Sequence, residues 1–420
     1  MISTPFDRDA ACPAASGSRM FTTVVSAAFV LTGIVTTFLG PILPVLASRW
    51  GLSDSRSGYF FTAQFLGSML GVGISSFLLP RSGFRFSLGL AYLLMAGGVS
   101  GLILPEWKTA LLGTFAFGLG LGIAIPVSNL LISGLNQDRR SSALSILNFC
   151  WGLGAVAAPV ALALAEHRNQ VPAFVYVLAG LLLLSTASLV FVPKRELPVD
   201  ETQAPVAGQE NFNWTFAAII GGMFFLYVAI ESSVGGWIAT LMARAPAGGG
   251  YTWLPASSLF WGGLLTGRGL APLVLRKFRE RSVALASLLV ACTAICVLVL
   301  LSGRQWIAVG AIATGFGLAA VFPITISLLS CFGAMEKRIA GPMFALAGLG
   351  GAVMPWLVGV ISTLSGSLQT GLLPPLIASA LLLWLHLIGN HGQKTVHQAA
   401  GQPDHPNQWR QPQVSSQDPF

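Results

Sequence analysis

A chain of 420 residues that is 54% hydrophobic and only 9% charged, with 48 glycines, has more apolar surface than a water-soluble domain can hide, so a bilayer is its natural solvent. The formal charge of +8 is scattered in ones and twos between apolar runs, which excludes a nucleic-acid-binding face and reads as membrane topology. The five cysteines show no CxxC or Cys/His spacing, so free thiols and no metal site are expected.

Residues 1–19, with Asp7, Arg8, Asp9 and Arg19, read as a cytoplasmic segment, and the apolar run behind them is too long for a signal-peptide core. One crossing needs about 20 apolar residues. Twelve spans of that order are predicted, near 21–46, 56–79, 84–104, 109–134, 142–165, 171–192, 214–242, 255–275, 282–302, 305–331, 339–363 and 370–389. They fall into an N-terminal six-helix bundle (20–193), a polar cytoplasmic linker "KRELPVDETQAPVAGQENFN" (194–213), a C-terminal six-helix bundle (214–390) and a cytoplasmic, disordered tail (391–420). An N-terminus inside places sixteen Lys and Arg in the cytoplasm and leaves Arg49, Arg56, Lys108, Arg168, Arg244 and Arg304 outside, a positive-inside bias that puts both termini in the cytoplasm.

The two bundles repeat each other at a shift of about 196 residues. Span 4, "GLGLGIAIPVSNLLIS", carries Gly118, Gly120 and Pro126 where span 10, "GFGLAAVFPITISLLS", has Gly315, Gly317 and Pro323. "GLGAVAAP" in span 5 matches "GLGGAVMP" in span 11, which aligns Pro159 with Pro355; Phe65, Gly67 and Gly71 match Trp261, Gly263 and Gly267; and Gly40 matches Gly236. Such a parallel repeat predicts two six-helix halves related by an axis along the membrane normal, with any substrate site between them near the midplane. The GxxxG glycines are first of all packing positions, and the matched prolines are candidate helix hinges.

With these halves, the polar central loop and basic loops after spans 2 and 8, the chain resembles the major facilitator superfamily, a fold of twelve transmembrane helices in two pseudo-symmetric bundles and wholly α-helical. "SSFLLPRSGFR" keeps Arg81, Gly83 and Arg85 of the superfamily's loop signature, with Pro80 in place of its aspartate. "YVAIESSVGGWIATLMAR", "NFCWGLGAVAAP" and "FPITISLL" are similar to the fucose permease-like branch. The resemblance implies a secondary transporter, not an enzyme, with gating loops at Arg81, Gly83, Arg85, Arg276 and Arg279. Drug exporters are matched less well, since Thr114 stands where their span 4 arginine would be and Ala158 precedes Pro159.

Glu231 alone among the acidic residues lies well inside a span, and Arg268 alone among the basic ones. A charge at the bilayer centre costs about 3 kcal/mol on insertion scales, so it persists where it faces protein, water or a partner. Span 7 lines the central cavity in such a fold, which makes Glu231 a candidate proton carrier. The alternative is a fixed salt bridge to Arg268. Tyr227, one turn before Glu231, shares its helical face. Gln64, Asn129, Asn148 and Trp151 could supply the amides and aromatic surface of a sugar-binding cavity, or serve as interhelical contacts.

The expectation is an alternating-access transporter of a small polar solute, most plausibly a sugar, monomeric and set in the plasma membrane (a bacterial inner membrane). It needs no cofactor and couples to a proton, or to sodium, through Glu231. An efflux antiporter for amphipathic compounds is the alternative of the same class; a non-transporting receptor or scaffold, which would leave Glu231 unexplained, is the one of another class.

Overall fold

A computed structural model of the protein describes residues 14–136, 139–191, 214–246, 255–329, 332 and 336–399. The linker expected at 194–213 lies outside them, as does the tail from residue 400 onward. Among the described residues the chain is helical throughout, without a strand.

The first half consists of α1 (Ala14–Trp50), α2 (Asp54–Gly101), α3 (Trp107–Leu135), α4 (Arg140–His167) and α5 (Val171–Ser188). The second consists of α6 (Trp214–Arg244), α7 (Ala256–Leu275), α8 (Glu280–Leu300), α9 (Arg304–Leu318), α10 (Val321–Ser327), α11 (Glu336–Ser365), α12 (Leu368–Gly371) and α13 (Leu373–Ala399). The second and third predicted spans are continuous in α2, divided only at Gly83, whose φ of 72° and ψ of 175° are not helical. Span 10 divides into α9 and α10 at Ala319 and Ala320, just before Pro323, and α13 runs on to Ala399, past residue 391 where the tail was expected to start. Ten helices among the described residues are long and apolar enough to cross a membrane. One of them, α2, holds two spans; α7, with Arg268 in its 20 residues, completes the twelve. Large apolar side chains stand exposed around the bundle, among them Leu112, Tyr176, Val177, Leu184 and Phe77, as only a lipid surroundings accommodates.

Contacts inside one half recur in the other, residue by residue. A Cβ on Gly67 would strike the Phe115 carbonyl and one on Gly263 the Ile312 carbonyl; Gly118 likewise abuts the Gln64 carbonyl and Gly315 that of Phe260. These glycines let α2 touch α3 and α7 touch α9 backbone to backbone.

The seams between the halves repeat as well. Thr62 Oγ1 donates to Ala352 O at 2.8 Å across α2 and α11, and Ser258 Oγ donates to Val156 O at 2.9 Å across α7 and α4. Both partners are related by the same shift of 196 residues. Met69 fills the notch at Gly348, and its counterpart Leu265 fills that at Gly152. Between the seams α1 crosses α6 with Gly40 against Gly236, under a tilted pair of Phe61 and the fully buried Trp237 whose centroids are 5.8 Å apart.

The halves are joined at the distal end, where α1 finishes and α2 begins. There Asp54 meets Arg244, the Ser55 amide donates to Thr363 Oγ1 at 2.8 Å, and Tyr59 stacks on Trp356. From that end the joining contacts descend as far as the layer of Met69, Gly348, Trp151 and Arg268.

Candidate functional site

The site is built around α6, whose apolar run "FFLYVAIESSVGG" keeps its backbone satisfied internally and so can carry one ionisable side chain into the bundle. Tyr227 and Glu231 are four residues apart, which sets them one above the other. The Tyr227 hydroxyl donates to Glu231 Oε1 at 3.0 Å. From α7, Arg268 Nη2 donates to the same oxygen at 3.3 Å. The pairing left open by the sequence is therefore made.

Exposure separates the three groups. Tyr227 is 1% exposed, held by the Phe322 ring at 5.0 Å, whereas the Glu231 and Arg268 side chains retain 17% and 33%. The ion pair is consequently partly exposed while its phenol support is fully buried. A carboxylate with one cation and one hydroxyl is electrically balanced, which answers the cost of placing it at mid-membrane.

The other half contributes an aromatic face. The Arg268 guanidinium lies 5.9 Å from the Trp151 ring, and Trp151 meets Trp261 edge to face at 5.8 Å. Trp151 is itself fixed by α1: its Nε1 donates to Thr36 Oγ1 at 3.3 Å, and the absent side chain of Gly33 leaves room for its backbone. Gln64 Nε2 donates to Thr36 O at 3.0 Å, so α1, α2, α4 and α7 converge on this layer. Chemically the arrangement sets a carboxyl group, able to exist charged or neutral, against a guanidinium and beside an indole surface.

The remaining sequence candidates sit elsewhere. Asn129 Nδ2 bonds Ile125 O and Asn148 Nδ2 bonds Leu144 O, each one turn back on its own helix, with Asn148 exposed. At the loop after span 2, Arg81 Nη1 donates to Phe77 O at 3.0 Å with its guanidinium 3.6 Å from that ring, and Arg85 Nη2 reaches Val190 O at 3.2 Å. Arg276 and Arg279 flank the equivalent turn between α7 and α8, both exposed. Helices run unbroken through Pro126, Pro159 and Pro355; an interruption accompanies Pro323 alone of the four. Sequence reasoning did not single out Thr36 and Trp261 as site residues, nor Asp54, Arg244 and Ser362 at the distal end. Charges at span ends read as interfacial, so residue type and position carry no signal of this pair.

The sequence matches the Major Facilitator Superfamily over residues 25–338. It is 24% identical over 355 residues to the glucose/mannose transporter GlcP of Bacillus subtilis, covering 79% of this chain and 85% of that protein. It is 22% identical over 415 residues to the human sodium-dependent glucose transporter 1, covering 84% and 78% respectively. The crystal structure of the E. coli fucose:proton symporter superposes with a TM-score of 0.59 at 13% identity over 89% of this chain and 99% of that one.

Proposed function

Since this chain belongs to the major facilitator superfamily and is an integral membrane transporter, not an enzyme, we propose that it carries a sugar by alternating access, with Glu231 coupling the movement to a proton. The observation that carries this reading is the ion pair of Glu231 and Arg268 in the layer where the halves meet, partly exposed and faced by Trp151. The sugar class is supported by the names of the relatives, which include glucose/mannose, glucose/galactose and sodium-dependent glucose transporters.

The chemistry follows from charge balance. While Glu231 is ionised, Arg268 is held against it. A proton on Glu231 removes the attraction, frees the guanidinium to take a sugar hydroxyl, and leaves a neutral carboxyl that costs less to move through the bilayer. The sugar ring lies on Trp151, with Tyr227 keeping the carboxyl oriented. With the distal end closed, the cavity faces the cytoplasm, and both termini lie on that side of the plasma membrane. The protein works as a monomer and requires no cofactor besides the coupling ion.

Reconstituted protein in liposomes loaded with a pH-sensitive dye tests the proposal. D-Glucose, D-mannose, D-galactose and L-fucose added outside should acidify the lumen, and Glu231→Gln should abolish the signal. Sugar uptake that follows an imposed sodium gradient with no proton movement would replace the proton by sodium. Absence of uptake for all four sugars under either gradient would overturn the sugar assignment.

A further inference from the structure

At the distal end an ion pair crosses from one half to the other. Arg244, the last residue of α6, donates from Nη2 to Asp54 Oδ1 at 2.6 Å and from Nη1 to Asp54 Oδ2 at 2.7 Å. Ser362 of α11 donates to the same Oδ2 at 2.6 Å. Asp54 stands in the first turn of α2, 8% exposed, and its backbone carbonyl fills the notch left by Gly359 on α11. One carboxylate of the first half is thus gripped by two helices of the second. The two-pronged geometry is the strongest an arginine and a carboxylate can form.

The duplicated architecture does not demand this contact. At the shift of 196 residues that relates the Thr62–Ala352 and Ser258–Val156 contacts, Asp54 corresponds to Gly250, Arg244 to Ser48 and Ser362 to Glu166. Neither Gly250 nor Ser48 carries a charge, so the counterpart positions cannot repeat the pair; the mirrored seam between α4 and α7 has the Ser258 to Val156 hydrogen bond. The ion pair is an addition to one seam only. It sits on α6, the helix that also carries Glu231, so one rigid element connects the buried carboxylate to the closed end.

We propose that Asp54, Arg244 and Ser362 form a one-sided latch that holds the distal end shut and sets how often it opens. This rests on the alternating-access reading. While the latch is made, the α2–α11 seam cannot part. When it breaks, Asp54 leaves with the first half and Arg244 and Ser362 with the second, each free to be hydrated, so the open state bears no unpaired buried charge.

The test is the accessibility of a thiol placed behind the latch. Ser57, one turn along α2 from Asp54, is 1% exposed. In purified full-length protein in lipid nanodiscs, the reaction of Ser57→Cys with a bulky hydrophilic maleimide reports opening, counted against the same protein with Ser57 retained. Asp54→Asn and Arg244→Gln should each raise the labelling rate roughly tenfold, as for a pair of intermediate burial. The double variant should label no faster than the faster single, because both remove one contact. Ser362→Ala keeps both charges and should raise the rate about threefold, the effect of one hydrogen bond; it carries the test if a charge variant does not fold. Unchanged rates in the folded variants, or single effects that multiply in the double, would overturn the latch. Sugar flux in liposomes separates it from the transport reading: intact flux with unchanged labelling removes the latch alone, and faster labelling without flux for any sugar removes the transport reading alone.

Discussion

Gly40 and Gly236, which hold equivalent places in the two sequence repeats, touch each other: a Cβ on Gly40 would stand 2.8 Å from the Gly236 carbonyl oxygen and 3.1 Å from its Cα. A residue that meets its own repeat mate lies on the axis relating the halves. The crossing of α1 and α6 is therefore the point about which both seams are arranged, and the Glu231 layer lies directly below it on α6.

Glu231→Gln keeps the shape of the side chain and its hydrogen bond from Tyr227 but cannot take up a proton. Proton movement driven by sugar should fall about tenfold or more, while exchange of labelled for unlabelled sugar, which needs no net proton transfer, continues. Dye-loaded liposomes and counterflow measured on one preparation check both halves of the statement.

Arg268→Leu leaves the Glu231 carboxyl with the Tyr227 hydroxyl alone, so that it must stay charged without a counter-ion or take up a proton to fold. A loss of about 1–3 kcal/mol is expected, discounted for the partial exposure of the pair, and Glu231→Gln added to Arg268→Leu should recover most of it. Thermal unfolding in a mild detergent resolves this; a double variant as unstable as Arg268→Leu would show that the arginine acts through packing on Trp151 instead.

Two glycines, one in each half, should respond in opposite directions to alanine. A methyl at Gly118 would be driven into the Gln64 backbone, so Gly118→Ala forces α2 from α3 and should cost about 1–3 kcal/mol. Around Gly262 in α7 nothing stands within 4 Å of the added carbon. Gly262→Ala should then be neutral or stabilise by up to about 1 kcal/mol through helix propensity. Equal melting temperatures for the two variants would contradict the close approach.

Gly83 has open space around it, so any effect of substitution there is a backbone effect. Its φ of 72° with ψ of 175° lies in a region that side chains avoid. Gly83→Ala should destabilise the junction inside α2 by about 1–3 kcal/mol. Gly83→Asn should not rescue it, because asparagine tolerates the left-handed helical region and not this ψ. Melting temperatures of both variants supply the check.

Much of this was legible in the sequence because the repeat is written in glycines, which are fixed by backbone approach and tolerate no substitute. Gly67 and Gly263, or Gly118 and Gly315, align because each pair answers to the same carbonyl in its own half. Glu231 and Arg268 stood out since lone charges in apolar spans are costly, but their pairing depends on helix rotation, which hydropathy does not encode. Gln64, Asn129 and Asn148 looked equally suited to a cavity; each has a backbone carbonyl as its partner, and carbonyls are invisible to residue-type reasoning. The division of α2 at Gly83 instead of a loop follows from a single φ, which glycine permits without requiring. Asp54 and Arg244 were hidden by their places at span ends, where charge is ordinarily topological.

The two ion pairs have an electrical consequence. On the alternating-access reading Glu231 and Arg268 belong to the same half and travel together, and Asp54 and Arg244 carry opposite charges that part across the seam at one end of the bundle, so neither pair is expected to displace net charge along the membrane normal. Membrane voltage does work of about 2.3 kcal/mol per elementary charge per 100 mV, and on these pairs it does none. Any current during turnover is then the current of the cargo: a neutral sugar alone would cross blind to voltage, and a sugar accompanied by one proton would carry one charge per cycle.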